Sequence, residues 1–165
     1  MATNATAKRR KRQVVRAVAE VYADTRLVAP RLLHPNPWNI NRMSERAFAG
    51  LKESIRLSGF CDPIEARAHG RAGHFQILGG EHRWRAARQL HMPRVSVNVL
   101  RVPSDVAARK LVLQLNAHGE VDLVDLAEEL THLQRELGAD LGTGLPYTQR
   151  GLEELLALVP NVRSL

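Results

Sequence analysis

The sequence predicts an α+β fold: a small mixed sheet of three to five strands with flanking helices, followed by a helical C-terminal extension. Two observations carry this expectation. Apolar and polar residues alternate through Ile64–Ala68 and again at Val95, Val97 and Val99, the period-two pattern of a strand with one buried face. Elsewhere apolar residues recur at three-and-four spacing behind capping residues, as at Phe48, Leu51 and Ile55, which is the pattern of a helix packed on one side.

In chain order, residues 1–20 are small, polar and basic without an apolar period, and read as a flexible arm. Its run Lys8, Arg9, Arg10, Lys11 and Arg12 is either a solubilising tail or a contact to the phosphate backbone of nucleic acid that ignores sequence. A β-like stretch from Tyr22 to Leu33 gives way to a loop at 34–39, where two prolines break regular structure. Ser44 caps a helix that Gly59 ends in the left-handed conformation. Pro63 starts a strand at 64–68, residues 69–73 turn, and 74–78 return as its hairpin partner, delivering the chain into Gly79-Gly80. A helix from Glu81 to about Leu90 follows, closed by Pro93, and then the strand 94–100.

Ser104 caps a helix over about 104–116 that stops at Gly119. Asp122 caps another, in which Leu123, Leu126, Leu130, Leu133 and Leu137 form one stripe. Two heptads are too few for a coiled coil, so the stripe is expected to dock on the same domain. Thr148 to Val159 form a last short helix. The organisation expected is an arm over 1–20, a domain over 21–120 and an extension over 121–165.

At 165 residues the chain fits one domain, and 44% hydrophobic with 25% charged residues is the balance of a soluble globular protein. Aromatic residues are only 4%, so each of Phe48, Phe60, Phe75, Trp38 and Trp84 carries more of the core. The formal net charge is +7, and the five cations of the arm leave the rest of the chain near +2, so the basic character is mostly the arm's. That bias favours polyanionic partners. Cys61 is the only cysteine, which excludes an intrachain disulfide and a cysteine-rich zinc site. It reads as a half-buried packing residue. With no apolar run of about 18 residues and no secretory pattern, a cytoplasmic protein without membrane contact is expected.

The strongest chemical signal is Gly79-Gly80-Glu81-His82-Arg83-Trp84-Arg85, a strand, two glycines and a helix start bearing two arginines. A helix N-terminus presents unpaired amides and a partial positive charge to anions, glycines let the backbone approach a ligand, and arginines add bidentate contacts to phosphate oxygens. The same residues also admit a plainer reading, with Glu81 paired to Arg85 at i,i+4, the arginines in solvent and the glycines making a turn. His82 is either a proton carrier or a pocket-lining residue. Trp84 is expected in the core, with a base-stacking role as the alternative. The remaining histidines show no metal-ligand spacing.

Gly80-Glu81-His82-Arg83-Trp84-Arg85-Ala86 resembles the G-E-R-R-x-R-A box of ParB-type proteins, with His82 in place of the first arginine. Residues 54–64, where a helix ends in Gly59-Phe60 and a Pro63-Ile64 strand begins, are similar to an earlier ParB box, with Asp62 where glutamine is usual. A third box, E-N-x-Q-R, is echoed only by Asn116 within 115–120. The likeness to the ParB/sulfiredoxin superfold, in a short phage- or plasmid-type member, covers about residues 25–137. It implies that Gly79, Gly80, Glu81, His82, Arg83 and Arg85 approach the phosphates of a nucleoside triphosphate, CTP first. Asn116 would help hold them, Pro63 and Ile64 would line the nucleotide side, and Mg²⁺ would be met by Glu81 or Glu120.

The superfold does not fix the reaction, since its members include CTP-hydrolysing ParB proteins, ATP-using sulfiredoxins, serine kinases and nucleases. Sulfiredoxins carry a reactive cysteine where Glu81 stands, and Cys61 lies elsewhere. The preferred expectation is a nucleotide-binding module working with DNA in partition, phage or gene-regulatory settings, with a homodimer possible. Sequence-specific DNA reading is expected to need a partner, because no recognition helix stands out. The alternative is an enzyme of the same superfold, a nucleotide hydrolase, phosphotransferase or nuclease using Glu81 and His82. A degenerate scaffold without ligand affinity is the third expectation.

Overall fold

The computed structural model describes residues 22–116 and 119–159. Its main sheet has five strands, β1 (Tyr22–Val28), β2 (Leu33–His34), β4 (Ile64–Ala68), β5 (Phe75–Gly79) and β6 (Val95–Leu100), in the order β1-β6-β4-β5-β2. β1/β6 and β4/β5 are antiparallel, while β6/β4 and β5/β2 are parallel, so the sheet is mixed as the sequence predicts. A separate two-stranded ribbon joins β3 (Asn41–Arg42) to β7 (Glu120–Val121). Among the described residues there are five α-helices: α1 (Glu45–Ser58), α2 (Glu81–Gln89), α3 (Asp105–Leu115), α4 (Leu123–Leu137) and α5 (Gln149–Leu156).

The helix starts follow their caps. Ser44, Ser104, Asp122 and Thr148 each accept a hydrogen bond from a first-turn amide, satisfying donors that the helix itself leaves open. Gly59 ends α1 at φ 81° and ψ −175°, an extended positive-φ region reserved for glycine and not the left-handed cap expected. α3 stops at Leu115, four residues before Gly119, with Asn116 as its cap. The two-residue strands β2, β3 and β7 carry no periodicity; Leu33 closes the β-like stretch that the sequence predicts and His34 opens the expected loop, while 41–42 and 120–121 are given no element by the sequence.

Strand alternation sorts the core onto the two sheet faces. Ile64, Ala66, Phe75, Ile77, Val95, Val97 and Val99 meet Trp84 and Ala87 of α2 on one face. On the other, Leu78 and Leu100 meet Ala108 and Val112 of α3. Residues 65 and 67 of β4 point the same way as Leu78, and there Arg67 is buried but satisfied. Its guanidinium donates to the Gln76 side chain, the Ser104 carbonyl and Asp105, whose carboxyl it holds below the usual range.

The leucine stripe of α4 docks on its own chain. Leu126, Leu130 and Leu133 are buried with Ile40, Leu113, Leu141, Leu145 and Leu152, whereas Leu123 stays exposed. Cys61 is exposed, not half-buried, its thiol near the Ser58 and Gly59 carbonyls. No described helix is long and apolar enough to cross a membrane.

Trp84 is the keystone between α2 and the sheet: it is 7% exposed, and its indole N–H donates to the Pro30 carbonyl at 2.9 Å. Trp84→Ala is expected to lower the unfolding free energy by about 3–5 kcal/mol. Trp84→Phe, which keeps a ring but leaves the carbonyl without its donor, should cost about 1–3 kcal/mol. Urea unfolding followed by circular dichroism measures both.

Candidate functional site

β5 ends at Gly79, and Gly80, at φ 85° and ψ 26°, turns the chain directly into α2. The positive φ of Gly80 calls for glycine, and at both positions an added side chain would displace a neighbouring side-chain end. A Cβ at 79 would stand 2.8 Å from a Glu65 carboxylate oxygen, and one at 80 would stand 2.7 Å from the Arg83 guanidinium. No side chain caps α2, so its first amides remain available at the turn.

The turn forms one wall of a cavity of about 400 Å³. Gly79, Gly80, Glu81, His82, Arg83 and Asn116 all line it, which brings together six of the residues that the sequence nominates. Arg83 closes one side: its Nη2 donates to the Pro63 carbonyl at 2.8 Å and to Glu65 at 3.2 Å. Asn39 donates to Glu81 at 2.6 Å, and Asn41 donates to Asn116 at 3.3 Å, so an asparagine-bearing loop before α1 closes the other side. Met43, Leu51 and Leu115 add an apolar rim.

Six buried side-chain polar atoms among the described residues lack a hydrogen-bond partner, and four of them belong to residues that line this cavity. They are Asn41 Oδ1, both ring nitrogens of His82 and Arg83 Nε. The other two, Arg109 Nε and Glu129 Oε1, face each other across an ion pair of 2.7 Å. Buried polar groups are almost always satisfied, so such a cluster marks a place where a ligand or water supplies the missing partners. His82 is held below its ordinary pKa, first by burial, then opposed by the charge of Glu81, with Arg85 lowering it further and the nearby Asn41 backbone raising it.

Several nominated residues lie elsewhere. Arg85 is exposed and its guanidinium stacks over the Phe48 ring at 5.4 Å, outside the cavity. Residues two apart on a helix point about 200° away from each other, so a regular α2 that turns Arg83 inward must turn Arg85 outward. Glu81 faces Asn39 instead of pairing with Arg85. Ile64 is fully buried in the sheet core and is not among the residues that line this cavity, while Pro63 contributes its carbonyl to Arg83. Glu120 is exposed on β7 opposite Arg42 and is not among the cavity residues. Lys8, Arg9, Arg10, Lys11 and Arg12 lie outside the described residues. The described residues hold no group of three or more histidine, cysteine or carboxylate side chains placed for a metal.

Asn36, Asn39, Asn41 and Glu65 were not anticipated. The only sequence signal for the asparagines is their density in a proline-broken loop, where such residues usually serve turns. Indeed Asn36 and Asn39 accept from the Trp38 and Asn41 amides as turn formers do, while also reaching Ile77 and Glu81.

Residues 9–117 match the model of the ParB N-terminal domain. The chain is 32% identical over 158 residues to the chromosome-partitioning protein ParB of Caulobacter vibrioides, covering 90% of this chain and 51% of that protein. Other curated relatives, also chromosome-partitioning ParB proteins, are matched over about a third of their length. Among solved structures, C-terminally truncated ParB from Caulobacter crescentus complexed with CTP-gamma-S aligns with a TM-score of 0.53 at 24% identity, covering 86% of this chain and 83% of that one. The same protein complexed to the centromeric parS site aligns with a TM-score of 0.54 at 24% identity, covering 82% and 68%.

Because burial depresses the His82 pKa, the unfolded chain takes up a proton near the ordinary imidazole value while the folded chain still excludes it. The His82 contribution to stability is therefore present above about pH 6.5, is lost as pH falls toward the folded value, and levels off below it. His82→Gln should remove that segment of the stability curve, as read by thermal melts from pH 8 to pH 5.

Proposed function

The chain belongs to the ParB N-terminal domain family, and on that premise we propose that it is a ParB-type partition module that binds a nucleoside triphosphate, CTP first, at the Gly79–Arg83 turn. One observation supports this most: the unpartnered atoms of Asn41, His82 and Arg83 converge on a cavity whose wall is the open start of α2. Phosphate oxygens would accept from the α2 amides, from a His82 ring N–H and from Arg83, in a spot with no Cβ to obstruct them. The apolar rim of Met43, Leu51 and Leu115 suits the less polar part of such a ligand. The CTP-gamma-S held by the Caulobacter crescentus relative supports the same nucleotide here.

Glu81 is the carboxylate best placed for Mg²⁺, and Asn39 would have to release or share it. With few protein carboxylates at hand, most of the ion's ligands would be phosphate oxygens and water. DNA is the second proposed partner, supported by the parS complex of a relative and by the basic run at 8–12. A role in the cytoplasm at the nucleoid follows from the same partners.

Titration of the full chain with CTP, ATP and GTP, with and without Mg²⁺, tests the reading. We expect Arg83→Ala to weaken binding at least tenfold, about 1.4 kcal/mol, with melting measured alongside because Arg83 also anchors Pro63. Arg85→Ala is expected to stay within about twofold, since its side chain points away from the cavity. Failure of all three nucleotides to bind would sink the proposal. Release of nucleoside diphosphate or phosphate that depends on Glu81 or His82 would instead mark an enzyme.

A further inference from the structure

The displacement of Arg85 from the cavity leaves an unassigned feature on the opposite side of α2. Arg85 and Arg88 are exposed and stand one turn apart on that helix, and neither has an ion pair among the described residues. Each guanidinium is held against a ring, Arg85 over Phe48 at 5.4 Å and Arg88 over Trp84 at 5.0 Å. A ring beneath each cation restricts its side chain while the exposed guanidinium still meets solvent, which lowers the entropy lost when it meets an anion. Lys52 of α1 joins them, its ammonium donating one proton to Gln89 at 3.2 Å and keeping two.

The acids nearby do not cancel this charge. α2 carries one, Glu81, at its cavity end and engaged by Asn39. α1 carries Glu45 in its first turn and Glu53, the latter neutralised by a two-pronged pair with Arg56. On a body whose net charge is near +2 once the arm's five cations are set aside, three cations against the one unpaired carboxylate of Glu45 leave this helix pair with a local positive field.

We propose that the outer face of α1 and α2, built on Lys52, Arg85 and Arg88, is a contact surface for the phosphate backbone of duplex DNA, read without regard to sequence. Charge complementarity names a polyanion. The aromatic geometry selects the duplex form: Phe48 and Trp84 are roofed by guanidiniums, and Trp84 is buried, so no free ring is offered to an unstacked base. Cations one helical turn apart, their Cβ atoms about 5–6 Å from each other, instead suit successive phosphates of a stiff backbone. The surface faces away from the nucleotide cavity and does not depend on that cavity being filled.

The test uses the full chain and random-sequence duplex DNA over a salt series. The triple variant K52A/R85A/R88A is compared with wild type and with a control, R101A/R135A, that removes exposed cations elsewhere. A second background in which Lys8 to Arg12 are all glutamine removes the arm's contribution. The expected result is roughly tenfold weaker binding at 0.1 M salt and a log–log salt slope reduced by about 2–3 for the triple variant in both backgrounds, because each lost phosphate contact releases about 0.9 fewer ions. The control should shift little, and R85K should recover part of the loss. Equal affinity and slope for triple variant and wild type would overturn the proposal, as would no duplex binding by wild type. Equal loss in the control, or stronger binding to single strands, acidic peptides or anionic vesicles than to duplex, would also overturn it. Nucleotide binding by the triple variant should remain, so this outcome is read separately from the one at the cavity.

Discussion

The passage from β5 into α2 through a single residue is the constraint on which the rest of the site depends. Gly80 accomplishes it with a positive φ, and the space that a side chain would need is filled by Arg83 folding back over the turn. Arg83 in turn reaches the Pro63 carbonyl and Glu65, the residue whose carboxylate crowds Gly79. Two glycines, one cation and one carboxylate are thus interlocked, and the start of β4, the end of β5 and the start of α2 are joined by the same contacts. The pair is half-buried, with side chains 26% and 22% exposed, so solvent weakens it less than an ordinary surface pair.

Much of this was legible in the sequence, for reasons that can be stated by residue. The alternation of Val95, Val97 and Val99 and the caps at Ser44, Ser104, Asp122 and Thr148 are local signals, and the structure honours them. The leucines of α4 were readable as a docked stripe because two heptads cannot sustain a coiled coil. What escaped was short or non-local. β2, β3 and β7 are two residues each and exist only because a distant strand offers hydrogen bonds, as when Leu33 and His34 lie beside Phe75 and Gln76.

The site shows the same division. Gly79 to Arg83 could be nominated from chemistry carried in consecutive residues, but Asn39, Asn41 and Glu65 join them from positions 14 to 40 residues before Gly79 with no motif of their own. The misplacement of Arg85 has a different cause. Two arginines separated by one residue look like a pair in a linear string, whereas a helix sends them to opposite sides, and that periodicity was available to the sequence reading. α2 consequently has two charged faces with separate surroundings, one sealed against Glu65 and Pro63 and the other resting on aromatic rings.

The chain holds only two tryptophans, and they sit in unlike places. Trp84 lies in the sheet core with its indole N–H bound to a carbonyl, whereas Trp38 is partly open on the asparagine-bearing loop, between the guanidiniums of Arg67 and Arg109 at 5.6 and 5.3 Å. Intrinsic fluorescence therefore carries two superimposed signals, a blue-shifted one that reports the integrity of the interior and a second, from a partly exposed ring, that reports the loop two residues from Asn36 and one from Asn39. Removing one indole at a time would separate them, giving the protein an optical reporter for each without any added dye.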